Sequence, residues 1–203
     1  MSVKYRQSAT RRYAVLRGAI YGGVASVVGY LVTLGLVAVT ESGDVTDYLL
    51  EGAGWVYFNA QFASLELSLG PSPDLEIGVE SYNIVTGDTP SQVAAGIDSP
   101  AILYHLVPVL VFFAAGFLLV YHVGAHSFKE GALYGGSLAL GAIVFAVAGS
   151  IVFSVDVSTF SLSPATDEGV IFAGILFPAI FGSIGGASSL LVGAEESSEF
   201  ANL

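Results

Sequence analysis

Cysteine is absent from the 203 residues of this chain, which excludes disulfide bonds, iron–sulfur clusters and thiolate catalysis within it. Charged residues are also scarce, at 11% of the sequence, whereas hydrophobic residues make up 54%. A chain with so few charges and a mean hydropathy of +0.74 cannot solvate its own surface in water. We therefore expect an integral membrane protein whose main surroundings are the lipid bilayer.

Basic residues are the scarcest charged class, with six Lys and Arg against 17 Asp and Glu and a formal net charge of −11. No basic stripe occurs beyond the N-terminal region, so we expect no nucleic-acid partner. An acidic, lysine-poor surface is typical of proteins that work in high salt, where screening removes the self-repulsion. This predicts a halophilic source, although an ordinary acidic surface has the same composition.

Recognisable chemistry is also missing. The sequence has no nucleotide-binding glycine loop, no Gly-x-Ser-x-Gly and no His-Glu-x-x-His motif. No Asp, Glu, Lys or Arg lies in the middle of an apolar run, where proton relays and coupled-ion sites are usually found. We therefore predict that the protein is not an enzyme, holds no cofactor and does not couple transport to protons.

Histidine is the remaining candidate for metal chemistry. His122, His126 and Glu130 would share one face if a helix continued through them, and such a set can bind zinc. Gly124 and the need for a chain turn oppose a continuous helix, so we predict no metal site. His105 and His122 are 17 residues apart on one helix, too far to share a haem.

Four apolar runs of membrane-spanning length divide the chain. The predicted segments are a basic N-terminus at 1–13, helices at 14–40, 101–123, 131–154 and 169–193, an acidic segment at 41–100, links at 124–130 and 155–168, and an acidic tail at 194–203. All six basic residues fall on one side of this arrangement. The positive-inside rule then predicts a multi-pass protein of the cell membrane with both termini in the cytoplasm.

An internal repeat underlies the four helices. Residues Gly18–Gly23 read Gly-Ala-Ile-Tyr-Gly-Gly, and residues Gly131–Gly136 read Gly-Ala-Leu-Tyr-Gly-Gly. The second helix of each half carries Leu-x-Pro, which ends at Pro108 and at Pro178. We interpret the chain as two helix-hairpin repeats, with helix kinks at the two prolines. These kinks can either surround a central cavity or improve packing, and we favour packing.

The 41–100 segment carries ten acidic residues and no basic one, and it is too long for a simple connector. Its first part predicts a helix at about 44–62, with Trp55, Tyr57 and Phe58 as interfacial anchors at headgroup level. Residues 63–69 and 75–80 alternate between apolar and polar side chains and predict a β-hairpin. A lone hairpin is marginal, so it should pack on the helix or on 155–168. We thus expect a small α+β extracellular insert.

Small residues recur every four positions in three of the helices. Close helix packing in lipid favours such faces. The predicted packing residues are Gly18 and Gly22 in the first helix, Gly131 and Gly135 in the third, and Gly174, Gly182 and Gly186 in the fourth. The pattern does not decide whether these faces pack within one chain or between chains.

Two short stretches carry a resemblance: residues Gly54–Ala60, which read Gly-Trp-Val-Tyr-Phe-Asn-Ala, and residues Tyr104–Pro108. With them the chain resembles a group of uncharacterised small four-helix integral membrane proteins of halophilic archaea, some of which are loosely labelled as transporters. The resemblance implies four helices and a long first outer loop. It assigns no chemistry to any residue.

Two functions remain compatible with these patterns. The first is a structural or assembly role, in which glycine-rich faces and the outer segment bind a second copy or a partner in a membrane complex. The alternative is a small channel or passive transporter with a pore between repeats or protomers. We favour assembly, because four helices leave little room for a pore and the outer segment is larger than a connector requires.

Overall fold

The structure, a computed structural model, describes residues 3–42, 44–69, 79–87, 97–157 and 160–200. Four helical stretches in this part of the chain are long and apolar enough to cross a membrane. They are span 1 (Arg12–Thr40), span 2 (Ala101–Val123), span 3 (Phe128–Val152) and span 4 (Thr166–Val192). The prediction of four apolar helices is confirmed.

The helices in chain order are α1 (Val3–Thr40), α2 (Asp44–Asp47), α3 (Leu49–Asn59), α4 (Ala101–Val123), α5 (Phe128–Gly136), α6 (Ala139–Val152), α7 (Thr166–Glu168), a π-helical segment (Gly169–Leu176) and α8 (Phe177–Phe200). Span 3 contains a turn at Ser137 and Leu138 between α5 and α6. Span 4 begins with α7 and the π-helical segment before it continues as α8. Neither irregularity was predicted.

A small antiparallel sheet lies at one end of the helices. Its strands are β1 (Leu65–Leu69), β2 (Val79–Tyr82), β3 (Val155–Val157) and β4 (Phe160–Pro164), in the order β2-β1-β4-β3. The β1–β2 pairing confirms antiparallel strands in the insert, with Leu65 opposite Tyr82. The 155–168 segment, predicted as a loop, supplies two further strands, and Leu65 also lies opposite Pro164. Residues 70–78, which connect the two predicted strands and include the start of the second, lie outside the described residues.

The core extends between the two ends of the helix bundle. At one end Ala14, Val120 and Tyr134 pack together. At the other, Val37 of α1 and Tyr104 of α4 pack with Leu65 of the sheet in a larger cluster. We call α2, α3 and the four strands the head, because they join the bundle at this second end.

Charge differs between the two ends. Arg12, Arg17 and Lys129 lie in or near the first turns of spans 1 and 3, at the end opposite the head. Glu41 and Glu168 lie at the head end, where span 1 stops and span 4 starts. Large apolar side chains on all four spans are exposed on the outside of the bundle. Such a surface suits lipid.

Candidate functional site

Spans 3 and 4 meet at their glycines. A Cβ placed on Gly182 would lie 2.5 Å from the carbonyl oxygen of Gly135, and one placed on Gly131 would lie 2.7 Å from that of Gly186. Real Cβ atoms do not approach that closely, so the two backbones touch because side chains are absent. This close contact lies within one chain. It is the small-residue packing that favours association of helices in lipid.

Span 2 joins the same contact through a residue that the sequence analysis missed. A Cβ on Gly116 would overlap the carbonyl oxygen of Gly182, and one on Gly185 would overlap that of Phe113. Three helices therefore approach one another around Gly182. Gly116 is an isolated glycine in α4, so no four-residue spacing marked it.

The two copies of the repeated hexapeptide contact different partners. Added Cβ atoms on Gly18 and Gly22 would overlap Ser137 and Leu138, at the turn in the middle of span 3. The second copy, which contains Gly131 and Gly135, faces span 4 instead. Further along span 4, a Cβ on Gly174 would lie 3.1 Å from the Ile143 Cα. All seven predicted packing glycines thus contact other spans of the same chain.

α3 is enclosed by protein from Gly52 to its C-terminal end. Every residue from Gly52 to Asn59 is buried. The indole N–H of Trp55 donates to the Phe153 carbonyl oxygen at 2.7 Å, and Phe58 packs edge-on against the Phe153 ring, with centroids 6.2 Å apart. The Tyr57 ring meets the Phe145 ring edge-on, at 5.8 Å. This aromatic cluster joins the head to span 3.

The predicted interfacial anchors are core residues instead. Trp55, Tyr57 and Phe58 are 5%, 1% and 0% exposed, which leaves no ring surface for headgroups. The rings can be buried because the spans carry glycines opposite them. Gly29 of span 1 faces the Tyr57 ring, and Gly149 of span 3 faces the Phe58 ring. Because neither glycine has a side chain, the spans can enclose α3.

A satisfied polar network closes the C-terminal end of α3. Asn59, which is fully buried, donates from Nδ2 to the Ala63 carbonyl oxygen at 2.6 Å and accepts at Oδ1 from the Ile84 N–H at 2.9 Å. Asn83 donates to the Asn59 carbonyl oxygen at 3.1 Å. Buried amides with complete hydrogen bonding specify one arrangement of the chain. The network fixes the end of α3 against β1 and the turn after β2.

Two carboxylates fasten the head end to the spans. Glu41, just after α1, accepts from the Asp98 N–H at 2.5 Å, from the Ser99 N–H at 3.2 Å and from the Tyr104 hydroxyl at 2.5 Å. It therefore bonds N–H groups that precede α4, where negative charge is favoured. Glu168 accepts from the Ser64 N–H at 2.7 Å and ties β1 to span 4.

Proline has different surroundings in the two halves. Pro108 is buried inside α4, which remains α-helical through it. Pro178 follows the π-helical segment, where the Phe177 N–H bonds to the Phe172 carbonyl oxygen five residues earlier. In an α-helix the Pro178 ring would clash with the carbonyl of Gly174. Gly174 lies in the π-helical segment instead, where the helical turn is wider.

The histidines make local contacts. The Nδ1 atom of His105 lies 2.7 Å from the Ala60 carbonyl oxygen, and that of His122 lies 2.7 Å from the Leu118 carbonyl oxygen. α4 ends before Gly124, whose φ is 77°, so the helix does not continue to His126. No group of three His, Asp or Glu side chains that could hold a metal occurs among the described residues.

Comparison with known proteins identifies the family of this chain, but no activity is assigned to that family. The model of a family described as a family of unknown function (DUF7978) matches residues 1–193. No curated protein and no solved structure matches the chain.

Proposed function

Because the chain belongs to DUF7978, a family of unknown function, we propose its role from its geometry. We infer a non-enzymatic, multi-pass membrane protein with a structural or assembly role. The observation that carries the proposal is the enclosure of α3, whose residues Gly52–Asn59 are all buried. With the Asn59 network and the Glu41 and Glu168 bonds, it makes the head one body with the spans. A surface held this firmly suits binding, because little freedom is lost on association.

We assign partner contacts to the head rather than to the glycine faces. Gly135 and Gly182 are already used between spans 3 and 4 of one chain. The edge strand β3 has exposed residues at Asp156 and Val157, and an edge strand offers unpaired backbone groups to a neighbour. The proposed partner is a second copy of the chain or another protein of the same membrane complex.

We further propose the orientation and setting. Arg12, Arg17 and Lys129 lie at the end opposite the head, and the positive-inside rule places such an end in the cytoplasm. The head would then be extracellular. Its acidic composition fits a halophilic, archaeal cell, in which high salt screens repulsion between carboxylates.

The two helix-hairpin repeats remain part of the proposal. Both copies of the hexapeptide lie near the start of a span, at the end opposite the head. This shared position supports parallel repeats. The different partners of Gly22 and Gly135 indicate that packing has diverged between the halves.

A small channel or passive transporter is the second candidate. It is favoured by polar side chains inside the bundle, since Ser26, Thr33 and Gln61 are all buried. A pore within one chain would have to pass α3, which is enclosed at the head end. A path shared by several chains meets no such obstacle.

Two measurements on purified protein test the proposal. In nanodiscs formed directly from membranes, native mass spectrometry should show a mass above one 20.9 kDa chain, either a homo-oligomer or a stoichiometric complex. Asp156→Lys at the exposed edge strand should reduce that assembly, whereas Gly35→Ala, on an open helix face, should not. A single chain without any partner would contradict the assembly role.

The second measurement is ion flux. Proteoliposomes should show no proton, sodium or potassium flux above that of empty vesicles, under a gradient or an imposed potential. Reproducible flux that disappears on Pro108→Ala or Pro178→Ala would support the channel instead.

A further inference from the structure

Phe62, in the turn after α3, combines two unfavourable features. Its φ is 65°, a left-handed value that no other non-glycine residue adopts in the described part of the chain. Bulky side chains are rare in this conformation, because their Cβ crowds the backbone. The ring is also 51% exposed. Just after the end of a helix such a position is usually taken by glycine, so the ring has to contribute more than the backbone loses.

The Phe62 ring contacts two spans. It stacks on the His105 ring of span 2, with centroids 4.9 Å apart, and its centroid lies 5.9 Å from that of Phe177 in span 4. His105 is four residues after Ala101, where span 2 begins at the head end. Phe177 is 11 residues after Thr166, where span 4 begins at the same end. Phe62 therefore lies beside the spans, at a level below their ends.

α3 itself reaches deeper between the spans. A Cβ on Gly29 would lie 2.8 Å from the Tyr57 ring, which also meets the Phe145 ring at 5.8 Å. Gly29 is 11 residues before the end of span 1 at Thr40, about 16 Å at 1.5 Å per residue. Phe145 is seven residues before the end of span 3 at Val152, about 10 Å. These depths are comparable with half of a bilayer core, roughly 15 Å.

The outside of the bundle at this level is apolar. Every span has an exposed aliphatic residue near its head end: Val39, Ile102, Val152 and Ile171. On spans 2 and 4 these residues are three and six positions nearer to the head end than the residues that Phe62 contacts. The exposed ring of Phe62 thus adjoins the surface that the spans offer to lipid.

The turn after α3 pairs backbone groups that lipid could not hydrate. The Phe62 N–H donates to the Asn59 carbonyl oxygen at 3.0 Å, and the Asn59 side chain donates to the Ala63 carbonyl oxygen at 2.6 Å. The Ala60 carbonyl oxygen accepts from His105 Nδ1 at 2.7 Å. Irregular backbone at membrane depth is tolerated where protein encloses and pairs it in this way.

We propose that residues 49–63 form a re-entrant element, which enters the leaflet on the head side and turns back at Phe62, and that the Phe62 ring packs against lipid hydrocarbon chains. The proposal rests on the multi-pass membrane setting inferred above and not on the assembly role. α3 has 11 residues, too few to cross a bilayer but typical of a re-entrant segment. The left-handed backbone at Phe62 directs the chain back towards β1, while the ring extends the lipid-facing surface of spans 2 and 4.

Single cysteines test the position of Phe62 in nanodiscs, in which an impermeant thiol reagent reaches both faces of the membrane. Ser81→Cys, at an exposed residue of β2, should be labelled. Val144→Cys, at an exposed residue inside span 3, should stay at the background of the cysteine-free parent. Phe62→Cys should behave like Val144→Cys until SDS unfolds the protein.

The two control variants separate the possible failures. Labelling of Phe62→Cys at the rate of Ser81→Cys, with Val144→Cys protected, would overturn the re-entrant element and leave the membrane setting intact. Labelling of all three variants would overturn both.

Tryptophan fluorescence identifies what covers the ring. Phe62→Trp keeps an aromatic ring beside His105, and lipids brominated on their hydrocarbon chains quench indole emission on contact. The parent in the same nanodiscs gives the background, since its one tryptophan is buried. We expect brominated lipid to reduce the emission of Phe62→Trp beyond that background, and not to do so for Ser81→Trp. Quenching of Phe62→Trp no greater than that of the parent would overturn the lipid contact even if Phe62→Cys is unlabelled, because protein would then cover the ring.

Discussion

The carbonyl oxygen of Gly135 lies 2.5 Å from the point that a Cβ on Gly182 would occupy. Span 3 and span 4 therefore touch through backbone atoms, and span 2 reaches the same point through Gly116. In lipid the hydrophobic effect does not hold helices together. Close van der Waals contact between the helices stabilises the bundle instead. Around Gly182 the backbones of spans 2, 3 and 4 all come close to one another.

Gly182→Leu should destabilise the bundle. Overpacking typically costs about 1–3 kcal/mol, and here the new side chain would have to displace the backbone of span 3 at Gly135 rather than a flexible side chain. Thermal unfolding in detergent should show a lower melting temperature than the parent.

Gly35→Ala is the matched control. Gly35 is also inside a helix, but nothing lies within 4 Å of a Cβ added there. Replacing an unencumbered helical glycine by alanine stabilises by roughly 0.5–1 kcal/mol. If Gly182→Leu and Gly35→Ala had the same melting temperature, the contact at Gly182 would carry no stability.

The spans were predictable because hydropathy is a local property. A run such as Ala101–Val123 is long enough to cross the bilayer, whichever helices it packs against. The details inside the spans were not predictable in the same way. No residue pattern marked the turn at Ser137 and Leu138, and Pro178 predicted a kink without indicating the π-helical segment before it.

The head shows why burial is harder to predict than secondary structure. A helix near 44–62 was expected, but its aromatic stripe does not say what covers it. Trp55 and Tyr57 were interpreted as facing headgroups because rings of that kind favour interfaces. Their burial depends on distant glycines such as Gly29 and Gly149. Such pairings across the chain are not visible in local spacing.

Asn59→Ala should destabilise the head more than a surface change. The variant leaves the Ile84 N–H and the Ala63 carbonyl oxygen without their present partner, and an unsatisfied buried group costs about 1–3 kcal/mol. We expect a lower melting temperature and faster proteolysis of the 60–87 region. Ser81→Ala, at an exposed residue of β2, should change neither.

Stability should fall in strong alkali, in part through Tyr82. Burial raises the pKa of Tyr82 from 10.0 to about 12, because the phenolate is poorly solvated in the head. Since the pKa in the folded state is the higher one, the stabilisation is complete below pH 10 and is lost as the pH rises towards 12. Tyr82→Phe should flatten the pH dependence of the melting temperature in this range, while Tyr48→Phe, at an exposed ring, should leave it unchanged.

The last prediction concerns the side of the membrane on which the head lies. Arg12, Arg17 and Lys129 are at one end of the spans, and basic residues near span ends set orientation. The head would then face the outside. Because the chain has no cysteine, single cysteines report position without background.

Asp47→Cys in α2 and His126→Cys between spans 2 and 3 replace exposed residues at opposite ends of the bundle. An impermeant thiol reagent added to intact cells should label Asp47→Cys and leave His126→Cys unlabelled until the membrane is permeabilised. Permeabilisation thus controls for a cysteine that is merely unreactive. The reverse pattern would place the basic end outside, and the head, with its proposed partner, would then belong to the cytoplasm.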